Sequence, residues 1–378
     1  MLTDALFEPL KLGSIVLKNR IIMSAMTRNR AIPTNVPNDF MTEYYKQRAG
    51  AGLIISEGNL VSQQGQEVSE WSTVPGIWNT AQVEAWKKVT SAVHAKGGYI
   101  FSQLWHLGRV AHPEMPEHKA SGKPVYGPSA IAAAGGKFRE LPGEPGYVTP
   151  VAIDDPMKIV AEFKQAAINS KAAGFDGVEV HGASGYIIHQ FLDTSANRRT
   201  DEWGGSPENR AKFPLEVLKA LVDVYGADKV GIKIAPCGGV NDMGMSLEET
   251  LATFKYFVTE ASKLGLAYIL FIRYYAQMDP TGRGTEHNVI GTYGPLVTAP
   301  TLVFGNGGFQ PPEAATAVAG GEIDAAVFGF LFIPNPDLPQ RIRAGKDITF
   351  QVDFPSLYTH SGDEESVKKG FIDYPAAD

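Results

Sequence analysis

Two side chains able to handle a carbonyl group and its proton stand five residues apart in His181-Gly182-Ala183-Ser184-Gly185-Tyr186. An imidazole or a phenol in a cleft can polarise a carbonyl oxygen or shuttle a proton. Other reactive groups stand where short apolar runs end: Ala25-Met26-Thr27-Arg28, Ser56-Glu57-Gly58, Gln103-Leu104-Trp105-His106, Lys233, Arg273, Gly305-Asn306-Gly307-Gly308 and Gly329-Phe330. Together they offer a hydroxyl, an amide, an imidazole, a phenol and an ammonium. The glycines of the last two runs suit a phosphate held by backbone N–H groups. No set of carboxylates converges in a way that predicts a metal site. No serine or cysteine has an activating base beside it in sequence, which disfavours a hydrolase.

These groups converge only if the runs carrying them are strands of one closed sheet. The runs are Arg20–Met26, Gly52–Gly58, Tyr99–Trp105, Gly177–Gly182, Val230–Pro236, Ala267–Arg273, Thr301–Gly307 and Asp324–Phe332. They are continuously apolar over most of their length, the pattern of parallel strands covered on both faces. Between them lie stretches with helical spacing: Thr80–Ala95, Asp155–Ala173, Pro207–Tyr225, Ser246–Leu264, Pro311–Ala319 and Pro336–Ala344, with Glu286–Val297 the weakest. Ser206-Pro207-Glu208 and Ser246-Leu-Glu-Glu carry helix-start signals. The alternation predicts an α/β fold, a (β/α)8 TIM barrel forming one domain over 1–378, with function at the carboxyl-terminal rim. The segment Leu6–Leu17 is expected to form a hairpin closing the barrel floor. The Gly/Pro-rich stretch 112–150 is expected to be an excursion from the top after strand three, and 350–378 a tail.

Composition bounds the partners. The chain has 378 residues, 44% hydrophobic and 20% charged, with a net charge of −7. An acidic balance excludes nucleic acid as a general partner. One cysteine, Cys237, excludes an internal disulfide, and no Cys/His cluster predicts zinc. No secretory signal and no apolar run long enough to span a membrane is visible, so a cytoplasmic location is expected. The oligomeric expectation is a monomer or homodimer.

The sequence resembles the Old Yellow Enzyme family of flavin-dependent ene reductases, specifically its fungal members. The resemblance runs from Leu6-Phe7-Glu8-Pro9-Leu10 to Asn335-Pro336-Asp337-Leu338. It is most specific in Gln190-Phe191-Leu192, Asn197-Arg198-Arg199-Thr200-Asp201-Glu202-Trp203-Gly204-Gly205-Ser206 and Glu208-Asn209-Arg210. It implies FMN over the top of the barrel and NADPH as reductant. Thr27 would then bond an isoalloxazine carbonyl, Ala25, Met26 and Gly58 would approach the ring through their backbones, and Gln103 would bond its pyrimidine edge. The strand-five cation Lys233 and the glycines Gly307, Gly308 and Gly329 complete the cofactor set. His181 would polarise the carbonyl of an apolar enone or enal, Tyr186 would protonate its α-carbon, and Trp105 would shape the pocket.

Several positions depart from the family pattern. Ser184 replaces the second carbonyl donor, Lys233 an arginine, Phe330 the phosphate-binding arginine, and Arg273-Tyr274-Tyr275 a Glu-Pro-Arg turn. Ala25 replaces a proline. Losing a bidentate phosphate contact is expected to weaken FMN binding by about 3–6 kcal/mol unless Arg273, Arg283 or loop amides compensate. These departures keep a second reading open, a non-redox isomerase or cyclase in which FMN is lost or transfers no hydride. Plainer roles are also expected: Ser184 a spacer with possible substrate contact, Phe330 a pocket wall, Cys237 an inert thiol, and Lys233 an ion-pair partner of Glu57 or Glu179. His106, His112 and His118 read as solvated loop residues, and Tyr268, Phe271, Tyr274 and Tyr275 as core plus rim.

Overall fold

The eight apolar runs form short parallel strands. They are β1 (Ile21–Met23), β2 (Leu53–Ile55), β3 (Ile100–Trp105), β4 (Gly177–Gly182), β5 (Val230–Ile234), β6 (Tyr268–Ile272), β7 (Leu302–Asn306) and β8 (Ala325–Phe328). Each pairs with the next, and β8 pairs with β1 through Val327 opposite Ile22, so the sheet closes into a barrel. The computed structural model describes residues 3–63, 73–134, 140–141, 144–145, 147–279 and 282–377. Parts of the expected 112–150 excursion and the last residue of the tail therefore lie outside the described residues.

Alternation along the strands sorts the side chains. Ile22, Leu53, Ile55, Phe101, Tyr268, Leu270, Phe304, Ala325 and Val327 pack together inside the barrel. The hairpin of Leu10–Leu12 and Ile15–Leu17 joins this cluster and plugs the floor. Ile21, Met23, Ile54, Ile100, Leu104, Val178, Val180, Ile232 and Ile234 belong instead to the larger core shared with the helices. The same parity places Gln103, Trp105, Glu179, His181 and Lys233 on the inner face.

The helices follow in order: α1 (Asp39–Gln47), α2 (Thr80–His94), α3 (Pro156–Ala172), α4 (Pro207–Tyr225), α5 (Leu247–Ser262), α6 (Val289–Tyr293), α7 (Pro311–Ala319) and α8 (Leu338–Ala344). Reciprocal capping boxes start α2 (Asn79 with Gln82) and α5 (Ser246 with Glu249), and Ser206 caps α4. Helix α1 was not among the expected helices. Its buried face is Met41, Tyr44 and Tyr45, aromatic in place of aliphatic, so the spacing is easily overlooked. Helix α6 is much shorter than 286–297, because Gly294-Pro295 ends it in a 3-10 turn.

Strand β1 is also shorter than expected, and this shapes the mouth. After Ser24, whose N–H still bonds the Phe328 carbonyl at 2.9 Å, the chain leaves the ladder. Ala25, Met26 and Thr27 are left half-buried at the rim. The tail docks beside them through two buried arginines. Arg28 donates to the carbonyls of Leu357 (3.3 Å) and Gly370 (2.5 Å), and Arg30 to those of Val367 (3.1 Å) and Ser356 (2.6 Å).

Candidate active site

Strands β3 and β4 bring three rings together at the top of the barrel. The ring centroids of His181 and Tyr186 are 4.8 Å apart at 71°, those of Trp105 and Tyr186 5.0 Å apart at 81°. Trp105 stacks on His181 at 6.2 Å and 29°. Leu60, Val74, Leu107, Val110, Val125 and Ala133 pack with Trp105 and Tyr186 into an apolar wall, and Tyr147 from the excursion lies against it. Gly58 fits beneath: a Cβ there would come within 2.7 Å of the Trp105 ring.

The His181 ring is held for donation. Its Nδ1 faces the Ala183 N–H at 3.4 Å, so the proton of the neutral ring falls on Nε2. Burial, with Lys233 and His189 nearby, pushes this imidazole well below the usual histidine range. A neutral imidazole with Nε2–H can donate to a carbonyl oxygen without ionising.

The turn carrying Tyr186 is fixed by its own backbone. Ser184 adopts a left-handed φ of 56° and Gly185 one of 73°. The Gly185 N–H donates to His189 Nδ1 at 3.2 Å, the Gln190 amide to the Gly185 carbonyl at 2.8 Å, and the Tyr186 N–H to the Ala183 carbonyl at 3.3 Å.

Below the rings lies a buried charge network. Gln103 Nε2 donates to one oxygen of Glu179 (2.7 Å) and the Tyr268 hydroxyl to the other (3.0 Å). Lys233 Nζ donates to the Ser24 hydroxyl at 3.2 Å. Burial lowers the Lys233 pKa and raises that of Glu179, and the attraction between the two opposes both shifts. Of the two expected ion-pair partners, Glu179 is the one that acts on Lys233. Glu57 belongs to a separate network: its carboxylate accepts from the Arg28 N–H (3.2 Å) and the Tyr45 hydroxyl (3.3 Å), and burial raises its pKa to about 7.

The β7 turn is anchored from β6. Gly307 (φ 108°) accepts from Arg273 Nε at 3.1 Å and from its terminal nitrogen at 2.8 Å, and Gly308 is exposed. A cavity of about 560 Å³ opens here, lined by Arg273, Tyr274, Tyr275, His287, Gly307 and Gly308 among others. His181 and Tyr186 are not among its walls. Gly329 ends β8 half-buried, and Phe330 beside it is 49% exposed with its ring 6.1 Å from that of Phe354.

These groups fit FMN at the ring end: an ammonium, an amide and hydroxyls lie beside a rim of half-buried backbone. At the phosphate end they offer glycine backbone, and no arginine stands at 330. Arg273 bonds Glu313 as well as Gly307, and Arg283 is paired with Asp242. The two guanidiniums expected to compensate are thus engaged within the protein.

Other expectations meet the structure unevenly. His106, His112 and His118 are buried (2%, 3% and 1% exposed), which corrects their reading as solvated. His106 Nδ1 accepts from the Gly108 N–H at 3.0 Å, and burial pushes this ring down to about 3. Cys237 is buried and its thiol is pushed up to about 11, consistent with an inert group. Tyr268 and Phe271 are core and Tyr275 is rim, as expected. Asn241 escaped the sequence reading. Its signal was an Asn-Asp pair in the turn Gly238-Gly239-Val240-Asn241-Asp242, residue types that tolerate left-handed backbone.

Among the described residues, no group of three or more His, Cys, Asp or Glu could hold a metal, and no helix is long and apolar enough to cross a membrane. Residues 5–348 match the family described as NADH:flavin oxidoreductase / NADH oxidase. The chain is 39% identical to aldehyde reductase FrzD of Cladobotryum sp., over 99% of this chain and 95% of that protein. It is 37% identical to the NADP-dependent oxidoreductase lnbE of Aspergillus flavus, over 99% and 96% respectively. Among solved structures, the old yellow enzyme homologue of Zymomonas mobilis superposes with a TM-score of 0.87 at 34% identity, covering 98% of this chain and 99% of that one.

Proposed function

Because the chain belongs to the NADH:flavin oxidoreductase / NADH oxidase family, we propose that it is an FMN-dependent ene reductase, fed by NADPH, that saturates the activated C=C bond of an apolar enal or enone. FMN, when bound and reduced, supplies the hydride. The observation that carries this reading is the His181–Tyr186 ring contact at the mouth, with Nε2–H of His181 available as a donor.

His181 binds the substrate carbonyl and draws electron density from the double bond. Tyr186 delivers a proton from its hydroxyl to the α-carbon. Trp105 and the apolar wall exclude water and orient the carbon skeleton, with Ser184 in the turn beside them. Lys233 and Gln103 would hold the polar edge of the cofactor ring and Thr27 its carbonyl, with the backbones of Ala25, Met26 and Gly58 bordering it. The backbones of Gly307, Gly308 and Gly329 serve the phosphate. The name of the Cladobotryum relative supports an aldehyde, and that of the Aspergillus relative supports NADPH. A cytoplasmic location, supported by the lone buried cysteine, and a monomer or homodimer are part of this reading.

The test is the mass of the product from NADPH and an α,β-unsaturated aldehyde or cyclohexenone with FMN-loaded protein. A gain of two hydrogens with the carbonyl retained upholds reduction of the C=C bond. An unchanged mass with a rearranged product would replace it with the isomerase or cyclase reading.

A further inference from the structure

The β5–α5 connection brings together loops that the barrel otherwise keeps separate. Asn241 (φ 53°, ψ 42°) and Asp242 (φ 62°) are successive non-glycine residues in left-handed backbone, a costly arrangement that persists only where the surroundings enforce it. The surroundings here are specific. Asn241 Nδ2 donates to the Ser184 carbonyl at 2.8 Å, and Asn241 Oδ1 accepts from the Tyr147 hydroxyl. Asp242 accepts from the Ala134 N–H at 2.8 Å and pairs with Arg283, and its backbone carbonyl accepts from Arg109 at 3.2 Å. The approach to the Tyr186 turn is close: a Cβ on Gly185 would lie 2.7 Å from the Asn241 Cβ.

One amide therefore touches both sides of the site. Its donor end fixes the turn that aims Tyr186, and its acceptor end holds Tyr147, whose ring packs on the cluster containing Trp105 and Tyr186. We propose that Asn241 is a positioning residue whose amide braces two elements, Tyr147 through its acceptor and the Ser184–Tyr186 turn through its donor, so that one side chain latches both. The latch touches none of the residues assigned to FMN. It rests on the ene-reductase reading for its kinetic consequence but not for its structural one.

The test uses the full-length, FMN-loaded protein with Asn241→Gly, Asn241→Asp and Tyr147→Phe. Glycine removes both hydrogen bonds while accepting the left-handed backbone, so folding is retained. Aspartate keeps an acceptor for Tyr147 and loses the donor to Ser184. Amide hydrogen exchange should quicken in both the 183–187 and the 147–149 segments for Asn241→Gly, and in the second alone for Tyr147→Phe. In kinetics, Asn241→Gly and Asn241→Asp should lower kcat for the enal on the order of 10-fold. Tyr147→Phe should raise KM with kcat unchanged, and flavin content and spectrum should match wild type in all three. Unchanged exchange, or exchange quickened in only one segment by Asn241→Gly, overturns the latch. Wild-type protein that turns over no enal overturns the ene-reductase reading instead, while the exchange data still decide the latch.

Discussion

The imidazole of His181 and the phenol ring of Tyr186 meet edge to face, 4.8 Å between centroids and 71° between planes. Four residues, two of them in left-handed backbone, separate them, so a strand end and a loop deliver two different protic groups to one point. Tyr186→Phe keeps the ring contact and removes only the hydroxyl. It should slow the oxidative half-reaction with an enal by about 10²- to 10⁴-fold and leave flavin reduction by NADPH unchanged. Stopped-flow measurement of the two half-reactions separates these outcomes, and equal slowing of both would count against the assigned role.

Phe330 is half exposed at the end of β8, where an arginine would face the phosphate. Phe330→Arg needs no core rearrangement. It should tighten FMN binding by about 10- to 100-fold, the equivalent of one charge-assisted hydrogen bond. Quenching of FMN fluorescence on titration with apoprotein reads this directly. An unchanged affinity would mean that the Gly307–Gly308 backbone holds the phosphate unaided.

Lys233 opposes the buried charge of Glu179, whose oxygens also receive Gln103 and Tyr268. Lys233→Met removes the hydrogen bond to Ser24 and the charge that opposes Glu179, and should lower both stability and FMN affinity. Lys233→Arg should recover most of both. Thermal melts with and without saturating FMN check the pair, and full stability of the methionine variant would remove the network from the cofactor floor.

Glu57 binds a proton more tightly in the folded protein than its ordinary value of 4.5, with its pKa raised to about 7 by burial. Between these values the native state keeps a proton that the unfolded chain has released. Its contribution to stability is therefore full below about pH 4.5 and is lost as pH rises through about 7. Glu57→Gln abolishes that dependence. Its melting temperature relative to wild type should rise between those limits and level off above them, and a constant difference across the window would refute the assignment.

Gly58 lies against the Trp105 ring. Gly58→Ala forces a Cβ to 2.7 Å from that ring, and the indole must shift. A raised KM for bulky enals, together with a melting temperature lowered by overpacking at the buried indole, is the expected outcome in steady-state kinetics and thermal melts.

Much of this was legible in the residues. The eight strands and most helices follow from continuous apolar runs and capping signals, since burial on both faces leaves a compositional mark. The convergence of His181, Trp105, Gln103 and Lys233 followed once their strands were known to close, because parity then dictates direction, whereas Tyr186 depends on the turn after β4. Helix α1 was obscured by its aromatic face. The burial of His106, His112 and His118 was not legible, because it depends on excursion contacts that local pattern does not encode. The Asn-Asp pair at 241–242 marks a turn, but the partners of Asn241 were not legible for the same reason: Ser184 and Tyr147 lie 57 and 94 positions away.

The guanidiniums of Arg28 and Arg30 lie at the first strand's end, yet carbonyls they bind belong to residues more than three hundred positions later. A chain emerging from the ribosome makes these charges early and can bury them only when nearly all of it has been synthesised. Loss of the tail from any cut between Ser356 and Val367 would strip acceptors from two interior cations at once. The two ends of the chain are thereby tied together beside the rim that carries Thr27.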